Sequence, residues 1–378
     1  MKRRLLVHAK KPLLTFLLLF LDGFKLKNIL LDWGERLLKS ILKIFFLAII
    51  FFVIGFYLFD ESESTKEQSK EYSYMGQSEN KEFAVPEAGV LSLIGKESNE
   101  VTELFGEPSR IDLSSFNYEW WIYDKSDESY MQVAVQNGRV VSIYALGDEL
   151  DLEPFSIGQR IEQIYQTFHP EILVNVEYND FTYQFELSEE DLGMRPLIKI
   201  GDVFAQVYVD KFTGQVTSVR FLSAEVLVLQ RPYEMIYRGE LPEARELSED
   251  EWSLVERGNE QQIFAITNIV RKRFELEEVE WDEKTADVAL LHSLDMHENN
   301  YFAHESPTNG NLGDRLENGE VAFRGAGENI AAKYVDGVAA FEGWLNSKGH
   351  RDTLLNEDYT FLGVGVYRNH YTQNFIIK

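Results

Sequence analysis

Histidine is scarce in this chain and unevenly placed. Of its seven histidines, five lie in the last third: His292, His297, His304, His350 and His370. Neutral imidazoles gathered with carboxylates offer two chemistries, ligation of a divalent metal of the zinc type and proton transfer around an ordered water. Composition removes others. The chain has no cysteine, so disulfides and thiolate nucleophiles are excluded. His297 precedes Glu298, but the next histidine comes seven residues later, so there is no H-E-x-x-H zinc motif. No G-x-S-x-G nucleophile elbow occurs either. Ser347 and His350 stand three apart, yet the sequence supplies neither a third triad member nor an oxyanion hole.

Four short motifs follow one another around these histidines: YFAHESP (Tyr301–Pro307), GENIA (Gly327–Ala331), WLNSKGHR (Trp344–Arg351) and FLGVGVY (Phe361–Tyr367). In this order and spacing they resemble the bacterial branch of the CAP superfamily, the group of cysteine-rich secretory proteins, antigen five and pathogenesis-related proteins. The resemblance covers about residues 259–378. It implies an α-β-α sandwich with a small antiparallel sheet, and a cleft lined by two histidines and acidic residues. The matching positions are His304, Glu328 and His350. Many eukaryotic relatives carry a second glutamate three residues after the helix tryptophan, where this chain has Ser347. Glu305 and Glu342 are nearby carboxylates, but neither fills that position. His304, Glu328 and His350 are therefore the candidate metal ligands, with zinc as the expected ion. The same residues could act as an acid–base set around water, or merely fix the loops as a structural cluster.

The elements that position these residues are legible as periodicity. Ile263, Ile266, Val270 and Phe274 mark one amphipathic helix, and Ala286, Leu290 and Leu294 mark another. His297 continues the second stripe and reads as a packing residue. Upstream lies a weak internal repeat. Ile94-Gly95 leads into the helical VTELFGEP, then into strand-like WWIY and MQVAV, and Asn137-Gly138 turns into RVVSIYAL. Asn-Gly between apolar alternations is a strong hairpin signal. The second copy begins at Ile157-Gly158 with IEQIYQTF, continues through FTYQFEL and FAQVYVD, and turns at Thr213-Gly214 into QVTSVRFL. Helix-plus-antiparallel-sheet units of this kind bury their apolar faces on each other. They resemble the N-terminal domain found beside bacterial CAP domains and, more loosely, tandem modules of the beta-lactamase-inhibitor type. His169 (beside Pro170), Trp120 and Trp121 read as structural.

Charge divides the chain. Residues 1–59 hold ten Lys or Arg against three acids, a net of +7, whereas residues 60–378 hold 27 basic and 60 acidic residues, a net of −33. So acidic a body excludes nucleic acid as a partner. Between Ile41 and Phe59, ILKIFFLAIIFFVIGFYLF is apolar apart from Lys43 and long enough, about 28 Å as a helix, to cross a bilayer. Basic residues before it and DESES after it place the N-terminus in the cytoplasm and the body outside. The shorter apolar stretch 13–21 suits a helix lying in the membrane plane, with a second span reaching 31 as the alternative.

These readings predict an α+β protein in six parts. They are a basic segment (1–40), a transmembrane helix (41–59), an acidic stalk (60–82), a two-repeat α+β domain (83–238), a hinge (239–258) and a CAP-like sandwich (259–378). The last part is expected to fold by itself. The expected function is that of a non-catalytic binding module of the cell envelope on a single-pass anchor, whose ligand is a cell-wall component, lipid or protein. A metal-dependent hydrolase, peptidase-like, using His304, Glu328 and His350 is the alternative.

Overall fold

The computed structural model describes residues 83–378. The expected basic segment, membrane span and stalk lie outside them, and among the described residues no helix is long and apolar enough to cross a membrane.

The repeat is built as hairpins on one sheet. Strands β1 (Arg110–Leu113), β2 (Glu119–Tyr123), β3 (Met131–Gln136) and β4 (Arg139–Ala145) form an antiparallel meander after the helix Ser98–Phe105. Asn137 and Gly138 both have positive φ, 51° and 77°, as a primed two-residue turn requires. In the second copy the helix Ile161–Phe168 is followed by β5 (Leu173–Tyr178), β6 (Phe181–Glu186), β7 (Leu197–Ile200), β8 (Val203–Asp210) and β9 (Gln215–Ser223). Matching backbone bonds recur in the two copies. Gly95 N–H donates to the Val140 carbonyl and Gly158 N–H to that of Val216. The hairpins carry register shifts at matching places, Ala134/Val135 and Tyr208/Val209. Pairing of β4 with β9 fuses the copies into one seven-stranded sheet, ordered β1-β2-β3-β4-β9-β8-β7. Strands β5 and β6 leave that sheet and join β10 (Glu234–Arg238) in a three-stranded one.

The two faces of the large sheet differ in chemistry. One carries Val133, Ile143, Val207 and Phe221, packed with Val101, Ile164 and Phe168 of the repeats' own helices. The other alternates aromatics such as Trp120, Tyr144 and Phe204 with Gln132, Ser142, Gln206, Ser218 and Arg220, all of them buried. A strand with one polar face normally shows that face to water. Here the C-terminal region covers it: Ile263, Phe341 and Trp344 belong to the same apolar cluster as Trp120 and Tyr144.

This arrangement departs from the expected hinge and gives residues 259–378 an apolar cluster shared with the preceding domain. Ser248 and Glu251 form a capping box, Ser248 N–H donating to Glu251 Oε2 at 2.9 Å, and a helix runs without a break over Glu249–Arg273. Within the stretch 239–258, Glu249, Asp250 and Glu251 occupy the first helical turn, where the macrodipole favours them. The connection is therefore short and irregular only up to Ser248, and all described residues lie in one compact unit. Gly258 marks where the helix crosses β1, since a Cβ there would stand 2.9 Å from Asp112 Cβ.

The C-terminal sheet is ordered β11 (Glu280–Trp281), β13 (Phe361–Tyr367), β14 (His370–Ile377) and β12 (Gly325–Ala332). It is antiparallel except for the edge pair β11–β13. The alternation in FLGVGVY explains its layering. Leu362, Val364 and Val366 face the helix Glu249–Arg273 and share its cluster. Gly363 and Gly365 face the other way. A Cβ on either would fall within 2.2 Å of the backbone of the helix Glu283–Glu298. Only glycine lets that helix lie so close to the strand. The result is the expected α-β-α sandwich.

Candidate functional site

The site forms around Glu328 on β12. Its side chain is 3% exposed, and both of its oxygens are engaged. Oε1 lies 3.0 Å from His304 Nδ1, and Oε2 accepts from the Arg315 guanidinium. Arg315 projects inward from the short helix Leu312–Asn318, which Asn311 caps in a box with Asp314. Its other terminal nitrogen donates to the carbonyls of His304 and Gly310, both at 2.9 Å. One buried arginine thus fixes the glutamate and the loop that carries His304.

His304 is the outward group, with a side chain 58% exposed. The His350 ring, from the helix Lys348–Leu354, lies 6.3 Å from it, centroid to centroid. Burial pushes His350 below the usual histidine range, and the nearby His304 adds to the effect. Asn329, the neighbour of Glu328 in GENIA, donates to the His350 carbonyl at 3.1 Å and holds that turn against β12.

Behind the glutamate is His292, whose Nε2 is 3.9 Å from Glu328 Oε1 and 3.1 Å from the Ala303 carbonyl. A carbonyl can only accept, so Nε2 carries the proton, and the buried Nδ1 has no partner. Burial lowers the His292 pKa and outweighs the opposing pull of Glu328, while Arg315 lowers it further. Asp295, on the same helix, accepts from Ser306 Oγ at 2.6 Å and from Tyr301. Burial alone would raise Asp295, but these hydrogen bonds bring it below the carboxylate range. The network anchors both ends of YFAHESP.

Among the sequence candidates, His304, Glu328 and His350 come together. Glu305 is exposed. Ser347 caps the helix Lys348–Leu354 without a side-chain bond. Glu342 is elsewhere: it is buried against β4 and β9 and accepts from Tyr144 at 3.1 Å, Ser218 at 2.5 Å and Thr217 at 3.2 Å. His297 packs by the rings of Tyr367 and His370.

A catalytic zinc needs three protein ligands with an open position. Among the described residues no group of three or more His, Asp or Glu side chains is placed to hold a metal. The orientation of His304 is one physical reason: its Nδ1 faces Glu328, so the carboxylate lies away from the Nε2 that an ion shared with His350 would use. As arranged, the residues do not fit the ion. Sequence reasoning missed Arg315 and His292. The available signal was Arg315 between Leu312 and Leu316, at an inward position of an amphipathic turn where a charge requires a buried partner.

An α-β-α sandwich with a glutamate on an edge strand of its sheet, flanked by histidines from a loop and a helix, defines the class. A model described as "CAP-associated N-terminal" matches residues 94–233, and one described as "Cysteine-rich secretory protein family" matches 264–377. An uncharacterized membrane protein of Bacillus subtilis (strain 168), YlbC, is 49% identical over 296 residues, 78% of this chain and 86% of its own length. The chain belongs to the cysteine-rich secretory protein, or CAP, family. A crystal structure of an extracellular protein containing a SCP domain from Bacillus anthracis shares 46% identity at a TM-score of 0.74, covering 77% of this chain and 96% of that one. A cysteine-rich secretory protein of Staphylococcus aureus shares 28% at a TM-score of 0.71, covering 79% and 95%.

Proposed function

We propose that this is a membrane-anchored, extracytoplasmic CAP protein whose His304/His350 cleft binds a component of the cell envelope without chemical turnover. The observation that carries this reading is the state of Glu328. A general base must be free to take a proton from water, whereas both oxygens of Glu328 are engaged by His304 and Arg315. What remains accessible is a pair of imidazoles, and Phe302, two residues before His304 in the chain, is exposed as well. Those groups recognise by hydrogen bonding and stacking. A metal-dependent hydrolase would need the glutamate released.

The anchor rests on the apolar run 41–59 and on the charge step across it. The name of the Bacillus subtilis relative, a membrane protein, and the description of the Bacillus anthracis relative, an extracellular one, agree with that placement. Protease added to intact cells should digest the region after Phe59 and spare the first forty residues; the opposite pattern overturns the orientation.

For the cleft, purified cell-wall fragments and anionic-lipid vesicles are added separately to the full chain in detergent. The histidine ring resonances are followed by NMR. One of the two probes should shift His304 and His350 while remaining chemically intact. Probe cleavage that His304→Ala abolishes would establish the hydrolase instead.

A further inference from the structure

We infer that β10 is a self-pairing edge, through which two copies of this chain join antiparallel along Glu234–Arg238 into a two-fold dimer. This goes beyond the binding reading and does not depend on which ligand the cleft takes.

β10 ends the three-stranded sheet, and among the described residues its one strand neighbour is β6, in unbroken register over all five residues. Its other side is a sheet edge, a template for one more strand. Edges are commonly guarded by proline, lysine, a bulge or a covering segment. The sequence EMIYR has no proline or lysine, and its register carries no bulge. The chain leaving it turns at Gly239, φ 134°, toward the inner face, where Tyr183 donates to the Glu240 carbonyl. Two large side chains stand in the open on the strand: Ile236 is 66% exposed and Tyr237 46%.

The charges name the occupant. An antiparallel strand of the same sequence, centred on Ile236, sets Glu234 opposite Arg238 of the partner subunit and Arg238 opposite the partner's Glu234. Each contact is thus made twice, as a two-fold interface requires, and directly opposed unlike charges favour the pairing. Within one chain Glu234 faces Glu186 of β6, a like charge. Among the described residues neither Glu234 nor Arg238 has an ion-pair partner. Other edges of these two sheets lack this reciprocity. β5 carries no basic residue. In β1, Arg110 and Asp112 already pair with each other at 2.6 Å. Beside β7, Gly201 N–H donates to the Phe83 carbonyl.

Five residues make a small contact, so the dimer is sought where copies share one membrane, which raises their effective concentration. The full chain is reconstituted in lipid vesicles. It has no cysteine, so Ile236→Cys introduces its one thiol. Directly opposed residues have Cβ atoms about 4.5–5.5 Å apart, within reach of a short bismaleimide, which should link the variant into a dimer on a denaturing gel. Leu104→Cys, exposed on another element, measures random collision and should give only background. In the Ile236→Cys chain, adding Glu234→Arg or Arg238→Glu sets like charges face to face, and either should reduce linking to that background. Glu234→Arg/Arg238→Glu together should restore it, as should mixing the two single-reversal chains, because each arrangement again opposes unlike charges. That restoration reports on pairing whatever the single reversals do to stability. Linking of Ile236→Cys no stronger than that of Leu104→Cys overturns the inference. So does linking that survives either reversal, or that neither the double reversal nor the mixture restores.

Discussion

Two buried glutamates sit on opposite sides of the C-terminal sandwich and are stabilised by opposite means. Glu328 is held by charge, with Arg315 and His304 on its two oxygens and His292 behind. Glu342 is held by three hydroxyls, those of Ser218, Tyr144 and Thr217, and burial raises its pKa against the lowering effect of those bonds. The first arrangement pairs a buried carboxylate with a buried guanidinium and ties it to the outward His304. The second suits a group that only joins two layers, where a neutral carboxyl serves as well. The WLNSKGHR motif shows the same division in adjacent residues: His350 turns to the cleft, while Arg351 donates to Asp210 in the hairpin end of β8, at 2.8 Å. Asn346 grips that hairpin too, through Lys211 N–H and the Val209 carbonyl. One helix-and-turn segment therefore faces the cleft on one side and the companion domain on the other.

Cutting the joined side should have the largest effect. A fragment of residues 259–378 severs the helix Glu249–Arg273 and exposes Glu342, Asp336 and Arg351 together with the apolar cluster around Trp344. It should be aggregated or without a cooperative unfolding transition, as read by calorimetry. A soluble fragment with a sharp transition would mean that the shared cluster is dispensable.

Next in size is Asp336→Ala. Asp336 accepts from buried Arg220 at 2.9 Å and caps the helix Gly337–Leu345 through Ala339 N–H. Orphaning a buried arginine costs about 3–5 kcal/mol and a lost cap about 1 kcal/mol. Urea denaturation of the full chain should show a loss of that order; a loss within experimental error would mean that Arg220 finds water.

The cleft side should respond more to pH. The folded-state pKa of His292 is depressed, so its contribution to stability is present above the unfolded value of about 6.5 and lost as pH falls below it. His292→Gln keeps a donor for the Ala303 carbonyl and removes the titration. Its thermal midpoint should fall less than the wild type's between pH 7 and pH 5. Parallel curves would show that His292 protonates freely in the fold. Smallest is His304→Ala, where an exposed ring is lost and Glu328 keeps Arg315. A cost below about 1 kcal/mol is expected by urea denaturation, in line with exposed ion pairs.

The comparison also shows what a sequence can and cannot display. The Asn137-Gly138 hairpin and the two-copy pattern were legible because turn residues and strand alternation are local features, whereas the glycine alternation of FLGVGVY takes its meaning only from the helix Glu283–Glu298 laid against it. His304, Glu328 and His350 were legible through the motifs that carry them. The joined side was hidden. Gln132, Ser142, Gln206 and Ser218 alternate with apolar residues, as a water-facing strand surface does, and no local rule distinguishes water from another domain's polar groups as their partner. Ser248 with Glu251 three residues on is a helix-start signal inside the stretch 239–258 expected to be a hinge. Arg315 was missed because its carboxylate partner lies on a different element, the strand Gly325–Ala332, which the helix's own periodicity does not name.

The contrast between the two glutamates is tested most directly by making the same substitution at both. Glu328→Gln and Glu342→Gln each preserve shape and remove charge, and the thermal midpoints of the two full-length variants are followed from pH 5 to pH 9. A raised folded-state pKa means that ionising Glu342 costs stability as pH climbs, so Glu342→Gln should equal the wild type at the acid end and meet or exceed it at the alkaline end. Glu328→Gln leaves Arg315 with an uncompensated buried charge and should lie well below the wild type at neutral pH, by about 3 kcal/mol or more. If Glu342→Gln is the damaging change at alkaline pH and Glu328→Gln the harmless one, the division into a charge-held cleft and a hydroxyl-held joint is wrong.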